Sequence, residues 1–245
     1  MNTEFCITLT TIPNRLNTIY KTIRSIEEQT LKPKKIYLNI PYEYYRFPNV
    51  KISNLQLKEL ESDIVEINRC LDFGPATKIM GSIEKVKEFD CAIIIDDDHI
   101  YNSKMCEIFI SEFEKEKINY SYYIQKIFDL NMAQCADGFL INCKYLNDID
   151  KFYNLYVKKN RNMFLDDDLW LSIYLQKIQN SKIKNLIDIF IKETKKKLVY
   201  EVHSKVDALS DKIHSPNKFL NRRKIAKYEY IKFQIKNYFN NFNHL

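Results

Sequence analysis

The chain has 245 residues, 45% hydrophobic and 29% charged, with 3 Gly and 6 Pro, which suits one α/β domain with a sizeable core and argues against long flexible linkers. Its net charge of +6 equals that of residues 217–245 alone, where seven Lys or Arg face one Glu, so residues 1–216 balance to zero. A basic patch spread over the fold is therefore missing, and no nucleic-acid partner is expected.

In chain order, residues 4–10 read as a strand ended by Pro13, and Leu16, Ile19, Ile23 and Ile26 then recur at helical spacing. Residues 35–40 form a second strand stopped by Pro41, and residues 63–67 a short third. A helix is expected over 76–88, after Gly74-Pro75. Residues 90–95 are a continuous apolar strand, as in the middle of a parallel sheet. Strands alternating with helices of this length predict βαβ crossovers and an α/β fold with a mostly parallel central sheet. The second half is less regular. It holds a helix over 103–117, a short apolar segment over 136–142 and a helix over 166–179 with an acidic first turn. A last strand over 198–203 and a long amphipathic helix over 219–242 follow, with loops at 160–162 and 210–217.

The cysteines, Cys6, Cys70, Cys91, Cys106, Cys135 and Cys143, show no C-x-x-C spacing, so no zinc site is indicated and reduced thiols are expected. The first ten residues lack the basic start and apolar core of a signal peptide. No run approaches the ~20 apolar residues of a membrane span. The expected location is cytoplasmic.

Two acidic triplets carry the chemistry. Asp96, Asp97 and Asp98 directly follow the apolar strand, in CAIIIDDDHIY. In an open parallel sheet, ligands bind beyond the carboxyl ends of the strands. Adjacent carboxylates repel one another unless a cation is present, and a hard divalent ion such as Mg2+ or Mn2+ accepts oxygen ligands and bridges to phosphates. The plainer reading is a solvated acidic turn. Asp166, Asp167 and Asp168 open the later helix, in FLDDDLWLSIYL. One Asp explains a helix cap; three invite a second role, such as a general base beside a substrate hydroxyl.

The order TLTTIPNRL, LDFGPATKI, IIIDDDHIY, ADGFLI and DDDLWLS resembles GT-A-fold glycosyltransferases, in a bacterial and viral branch near family 2. The resemblance covers about residues 4–205. It implies a metal-dependent enzyme taking UDP-, GDP- or dTDP-sugars with Mn2+ or Mg2+. The catalytic domain would be 1–216, with a nucleotide-sugar part over about 1–101, an acceptor part over about 102–216, and 217–245 as a basic amphipathic appendage. IIIDDDHIY looks like the family's D-x-D motif, which places Asp96 and Asp98 on the metal and Asp96 and Asp97 on the nucleotide. DDDLWLS is similar to the family's Glu-Asp-x-x-Leu-Ser, which places Asp168 on the catalytic aspartate and Asp167 on the Glu. Because Asp stands where the family has Glu, the choice between these two stays open. Thr10, Thr11, Pro13 and Arg15 look like the loop that meets the nucleotide, with Asp72 near the base and Lys78 as a second cation. Asp137, Gly138 and Trp170 fall on the acceptor and sugar side. His203 is the candidate third metal ligand, with His214 the alternative. The Gln-x-x-Arg-Trp motif of processive members is missing, which implies transfer of a single sugar, with inversion, to a glycan or lipid-linked acceptor.

A phosphohydrolase of the haloacid-dehalogenase type would place its D-x-D after the first strand, whereas three strand–helix units precede Asp96. A nucleotidyltransferase would want a Gly-rich loop where TLTTIPNR has no Gly. A non-catalytic sugar binder would not need both triplets. In the tail, Tyr228, Ile231, Ile235, Tyr238 and Phe242 share a face interleaved with Lys224, Lys227, Lys232 and Lys236. That pattern suits an anionic membrane at the cytoplasmic leaflet, or a terminal helix packed on the domain.

Overall fold

The computed structural model describes residues 3–50, 52–203 and 218–242, with no side chain described at 54, 218–220 or 238–242. His214, the expected loop over 210–217 and the side chains of Tyr238 and Phe242 lie outside the described residues.

The first half runs β1 (Phe5–Thr10), α1 (Tyr20–Glu27), β2 (Lys35–Pro41), α2 (Asn54–Lys58), β3 (Val65–Cys70), α3 (Thr77–Met80), α4 (Ile83–Val86) and β4 (Cys91–Ile94). Then come β5 (His99–Tyr101), α5 (Met105–Glu116), β6 (Asn119–Ser121), the hairpin β7 (Ile124–Ile127) and β8 (Leu130–Ala133), and β9 (Phe139–Asn142). The remainder is α6 (Ile149–Phe152), α7 (Arg161–Phe164), α8 (Asp167–Ile173), β10 (Ile183–Asn185), α9 (Ile187–Thr194), β11 (Val199–Val202) and α10 (Lys218–Phe242).

The central sheet has the order β10-β6-β9-β4-β1-β2-β3. β1 pairs in parallel with both β2 and β4, and β2 with β3, whereas β9 is antiparallel to β4 and β6. The chain leaves β1 toward β2 on one side and returns to β4 on the other, so a switch point opens beyond the carboxyl ends of β1 and β4, where α/β sheets bind ligands. Alternation along the buried strands feeds two cores. Phe5, Ile7, Leu9, Cys91 and Ile93 pack with α1 and α5 residues such as Ile23 and Phe109. Cys6, Ala92 and Ile94 face the opposite layer with Ile79, Trp170 and Tyr174. Because β4 is covered on both faces, its sequence is apolar at every position rather than at alternate ones.

Several boundaries differ from the sequence expectations. The third strand runs to Cys70, because its register with β2 continues to Pro41↔Cys70. The helix expected over 76–88 is two short helices, α3 and α4, broken around Gly81 and Ser82. There the chain lies against β2: a Cβ at Gly81 would stand 2.8 Å from Asn39 Cβ. α8 relaxes after Ile173 into a wider π turn over Tyr174–Ile178. All six cysteines are buried and free.

The tail helix is part of the body. Ala226, Tyr230 and Phe233 are buried in the same core as Trp170, and Glu229 accepts from the side-chain amides of Asn160 and Asn162 at 2.7 and 2.8 Å. Tyr228, Ile231 and Ile235 point outward at 60%, 43% and 52% exposure. α10 therefore carries an inward apolar face of Ala226, Tyr230 and Phe233 beside an outward one of Tyr228, Ile231 and Ile235. Among the described residues, no helix is long and apolar enough to cross a membrane.

Candidate active site

At the switch point the structure encloses a cavity of about 620 Å³. The loop after β1 supplies Thr10, Thr11 and Arg15 to its wall. Pro13 is not on the wall; it opens the short 3-10 turn Pro13–Arg15 that aims Arg15 inward. Asp72 and Lys78 line it from the segment after β3, Asp96, Asp97 and Asp98 from the end of β4, and Asp166, Asp167 and Asp168 from the start of α8.

Three cations bind six carboxylates, each cation shared between two. Arg15 Nη1 lies 2.6 Å from Asp97 Oδ1 and 3.0 Å from Asp98 Oδ2. Lys78 Nζ pairs with Asp96 Oδ1 and sits 3.1 Å from Asp167 Oδ2, so it ties the first triplet to the second. Arg222, from α10, reaches Asp166 and Asp168, each at 2.7 Å. Further contacts to these carboxylates are local. Asp168 Oδ1 accepts from the Cys135 backbone N–H at 2.8 Å, Asp97 Oδ2 accepts from the Thr11 hydroxyl, and Asp166 Oδ1 caps α8 through Leu169 N. Asp72 accepts from the backbone N–H groups of Gly74 and Tyr45, both at 2.7 Å, and so shapes the turn on which the Tyr45 rim stands.

Burial sets the electrostatics. Burial raises the Asp97 carboxyl above its usual range, against the opposing pull of Arg15 and Thr11. Asp96 behaves oppositely: burial would raise it, but the charge and hydrogen bond of Lys78 together hold it low. Asp167 is pushed up to about 6, by burial first and by its Asp168 neighbour, with Lys78 working the other way. Burial would also discharge Lys78, yet Asp167 and Asp96 keep it charged well past neutrality.

The expected acceptor-side and histidine residues are placed differently. Trp170 is fully buried, against Phe152 and Tyr153, and does not reach the cavity. Two positions past Asp168, the helix has turned by about 200° and presents the core rather than the site. Asp137 and Gly138 stand beside the wall, which Ala136 forms instead. Gly138 has φ +89 and makes the turn into β9, donating to Cys135 O at 3.0 Å. Asp137 is half-buried, which raises its carboxyl, with the nearby His99 opposing.

His203 follows β11, which pairs with β5 so that Val202 stands opposite His99. Its backbone N–H donates to Asp98 O, and its Nε2 lies 2.8 Å from Thr22 Oγ1. It is therefore brought beside the first triplet, but its ring is turned onto Thr22. Among the described residues, the one group whose three ligand atoms all lie within 4.8 Å of one another is Cys135, Asp167 and Asp168. The expected set of Asp96, Asp98 and His203 does not converge to that degree. Burial holds the Cys135 thiol far from ionisation, so as a neutral thiol it offers a hard cation little. The carboxylate donor set still fits one: six carboxylates meet on one wall, and among the described residues the buried Asp98 Oδ1 has no aligned hydrogen-bond donor, with His99 Nδ1 2.6 Å away.

No family model matches the chain, and no curated protein matches its sequence. Solved structures do match. The mannosyltransferase PcManGT of Pyrobaculum calidifontis, in complex with GDP-Man and Mn2+, aligns with a TM-score of 0.60 at 10% identity over 94% of this chain and 70% of that one. The fold is that of GT-A glycosyltransferases. S. aureus TarS 1-349 with UDP-GlcNAc aligns at TM-score 0.56 and 13% identity, over 92% of this chain and 66% of its own. The 4-diphosphocytidyl-2C-methyl-D-erythritol synthase of Anaerococcus prevotii also aligns, at TM-score 0.55 and 10% identity, over 94% of this chain and 96% of that one.

Arg222 is the site residue that sequence reasoning missed. Its signal in the sequence is the Arg222-Arg223 pair, which lies 54 positions from Asp168 and belongs by pattern to the basic tail. Tyr101, whose hydroxyl accepts from Asp96 N at 3.1 Å and donates to Ala136 O at 2.8 Å, also ties the two walls together.

Proposed function

We propose that the chain is a glycosyltransferase that moves one sugar from a nucleotide-sugar donor to a glycan or lipid-linked acceptor, with a divalent cation and with inversion. The observation that carries this reading is the convergence of both acidic triplets on one cavity, joined through Lys78. Asp96 and Asp98 would hold Mn2+ or Mg2+, which when bound neutralises the donor pyrophosphate and its departing charge. Arg15 and Lys78 lie on the same wall and can exchange a carboxylate for a phosphate oxygen as the donor enters. Asp168, its Oδ1 held by the Cys135 N–H, takes the proton of the acceptor hydroxyl as the oxygen attacks the anomeric carbon. Asp167, raised by burial, is the neighbouring carboxyl able to hold a proton near neutral pH.

Nucleotidyl transfer is the second reading, favoured by the shared fold of the synthase. Against it stands the loop after β1, where Thr11, Ile12, Pro13 and Asn14 replace a Gly-rich phosphate cradle. A panel of UDP-, GDP- and dTDP-sugars with Mn2+, with and without chelator, separates the two. Sugar transfer releases nucleoside diphosphate, while nucleotidyl transfer releases pyrophosphate. Asp168→Asn is expected to bind donor normally and to lose about 10²–10⁴-fold in kcat. Normal turnover would move the base to Asp167.

We propose further that the outward face of α10 rests on an anionic membrane surface. Exposed Tyr228, Ile231 and Ile235 stand among exposed Lys224, Lys232 and Lys236, so apolar insertion and charge complementarity act on one face. This would place the enzyme at the inner face of the cytoplasmic membrane, near a lipid-linked acceptor.

A further inference from the structure

Arg222 makes a two-carboxylate clamp. Its Nε and Nη2 grip Asp166 Oδ2 and Oδ1 at 3.0 and 2.7 Å, a planar fork on a planar acceptor. Asp166 is itself fixed, because it caps the first turn of α8. The guanidinium plane is thereby registered to the helix start, and the same Nη2 reaches Asp168 Oδ2 at 2.7 Å. The other oxygen of Asp168 is taken by the Cys135 N–H. Without Arg222, the Asp168 carboxylate keeps one hydrogen bond among the described residues, from the Cys135 N–H, and gains torsional freedom.

The helix that carries Arg222 is anchored independently of this contact. One turn on, Ala226 is buried; at two turns Tyr230 is buried and its hydroxyl donates to Asp129 Oδ1 at 2.9 Å; at three turns Phe233 is buried. Glu229 adds its bonds to Asn160 and Asn162, the residues just before the second triplet. A packed segment far along the chain thus presents one guanidinium to the proposed catalytic carboxylate.

We propose that Arg222 is a positioning residue for sugar transfer, holding the Asp168 carboxylate in the orientation in which it receives the acceptor proton. The inference rests on the transferase reading and assigns the C-terminal helix a part in the active site. Arg222 acts through Asp168, so its loss should appear in kcat rather than in donor binding. Lys cannot replace it, because a point ammonium lacks the fork that grips Asp166 while reaching Asp168.

The test uses the full chain carrying Arg222→Gln, Arg222→Lys and Arg222→Ala. We expect kcat to fall by about 10–100-fold in all three, the scale of a small misplacement of a reacting group. UDP and GDP affinities in Mn2+ should stay within about threefold of wild type, and added guanidinium should restore part of the activity of the Ala variant. Unchanged kcat in an active background overturns the inference, and so does a tenfold loss of nucleoside diphosphate affinity, which would put Arg222 on the phosphates. A double-mutant cycle of Arg222→Gln with Asp166→Asn, read by thermal melting, checks the clamp without turnover: non-additivity supports it, and additivity overturns it. A wild-type chain that transfers no sugar from any donor sinks the transferase reading and the role with it. An active wild type beside an equally active Arg222→Gln sinks the role alone.

Discussion

An ammonium group withdrawn from water is costly unless it is paired, and Lys78 is paired twice, with Asp96 and Asp167. The arrangement leaves Asp167 the least comfortable charge of the site, since burial raises its carboxyl from 3.8 to about 6. The native state then binds a proton more tightly than the unfolded chain does. Its contribution to stability is present below pH 3.8 and is lost as pH rises through about 6. Asp167→Asn removes that loss. Whatever constant cost the loss of a Lys78 partner adds, the variant should lose less stability than wild type as pH rises from about 4.5 to 7, by at most about 3 kcal/mol at 1.4 kcal/mol per unit. Urea unfolding at both pH values measures it; a difference that does not change with pH would mean that Asp167 is not held at a raised value.

Among the elements, the break between α3 and α4 matters most to the site. Asn39 on β2 donates to Thr8 Oγ1 at 2.9 Å and to the Lys78 carbonyl at 3.1 Å, and it accepts from Asn68. Gly81 lets the helix pair approach this network, because a Cβ there would stand 2.8 Å from Asn39 Cβ and 2.7 Å from Thr77 O. Gly81→Ala should therefore cost about 1–3 kcal/mol by overpacking, although Ala favours the helical backbone. Because the strain pushes on the residue that seats Lys78, donor binding should weaken as well. A melting curve and a nucleoside diphosphate titration check both, and a stabilised variant would show that Asn39 yields freely. The periodicity over 76–88 reads as one helix because a glycine tolerated in a helix and a glycine needed for close approach look alike in sequence.

At the scale of the whole molecule, α10 serves two surfaces at once. Its inner face belongs to the core beside α8, so truncation before it would expose Trp170's core and remove Arg222 together. A membrane role must therefore be tested on the outer face alone. Replacing Tyr228, Ile231 and Ile235 by Ser leaves the buried Ala226, Tyr230 and Phe233 in place. Co-sedimentation with vesicles of anionic lipid at low salt should fall about tenfold or more for the triple variant, on the scale of apolar area withdrawn from the bilayer. Donor turnover on soluble acceptors should be unchanged. Equal binding by both proteins, or by neither, would leave α10 as a packing helix only.

The strand ending in Asp96–Asp98, the acidic start of α8 and the alternation of strand and helix over residues 4–95 were legible without a structure. Each is a local pattern: an apolar run that only a doubly covered strand requires, carboxylates at a helix start, and periods of two and 3.6 residues. Which carboxylates share a cation was not legible. The Lys78 bridge joins residues 89 positions apart, and the Arg222 clamp joins residues on elements whose adjacency follows from sheet order and helix packing. The same holds for Trp170, whose helix face is decided by what α8 lies against, and for the β7–β8 hairpin, whose turn at Phe128 has φ 54 with no Gly to announce it. Local chemistry names the residues able to act. Long-range packing decides which of them meet, because the free energy of a buried charge depends on a partner that periodicity does not encode.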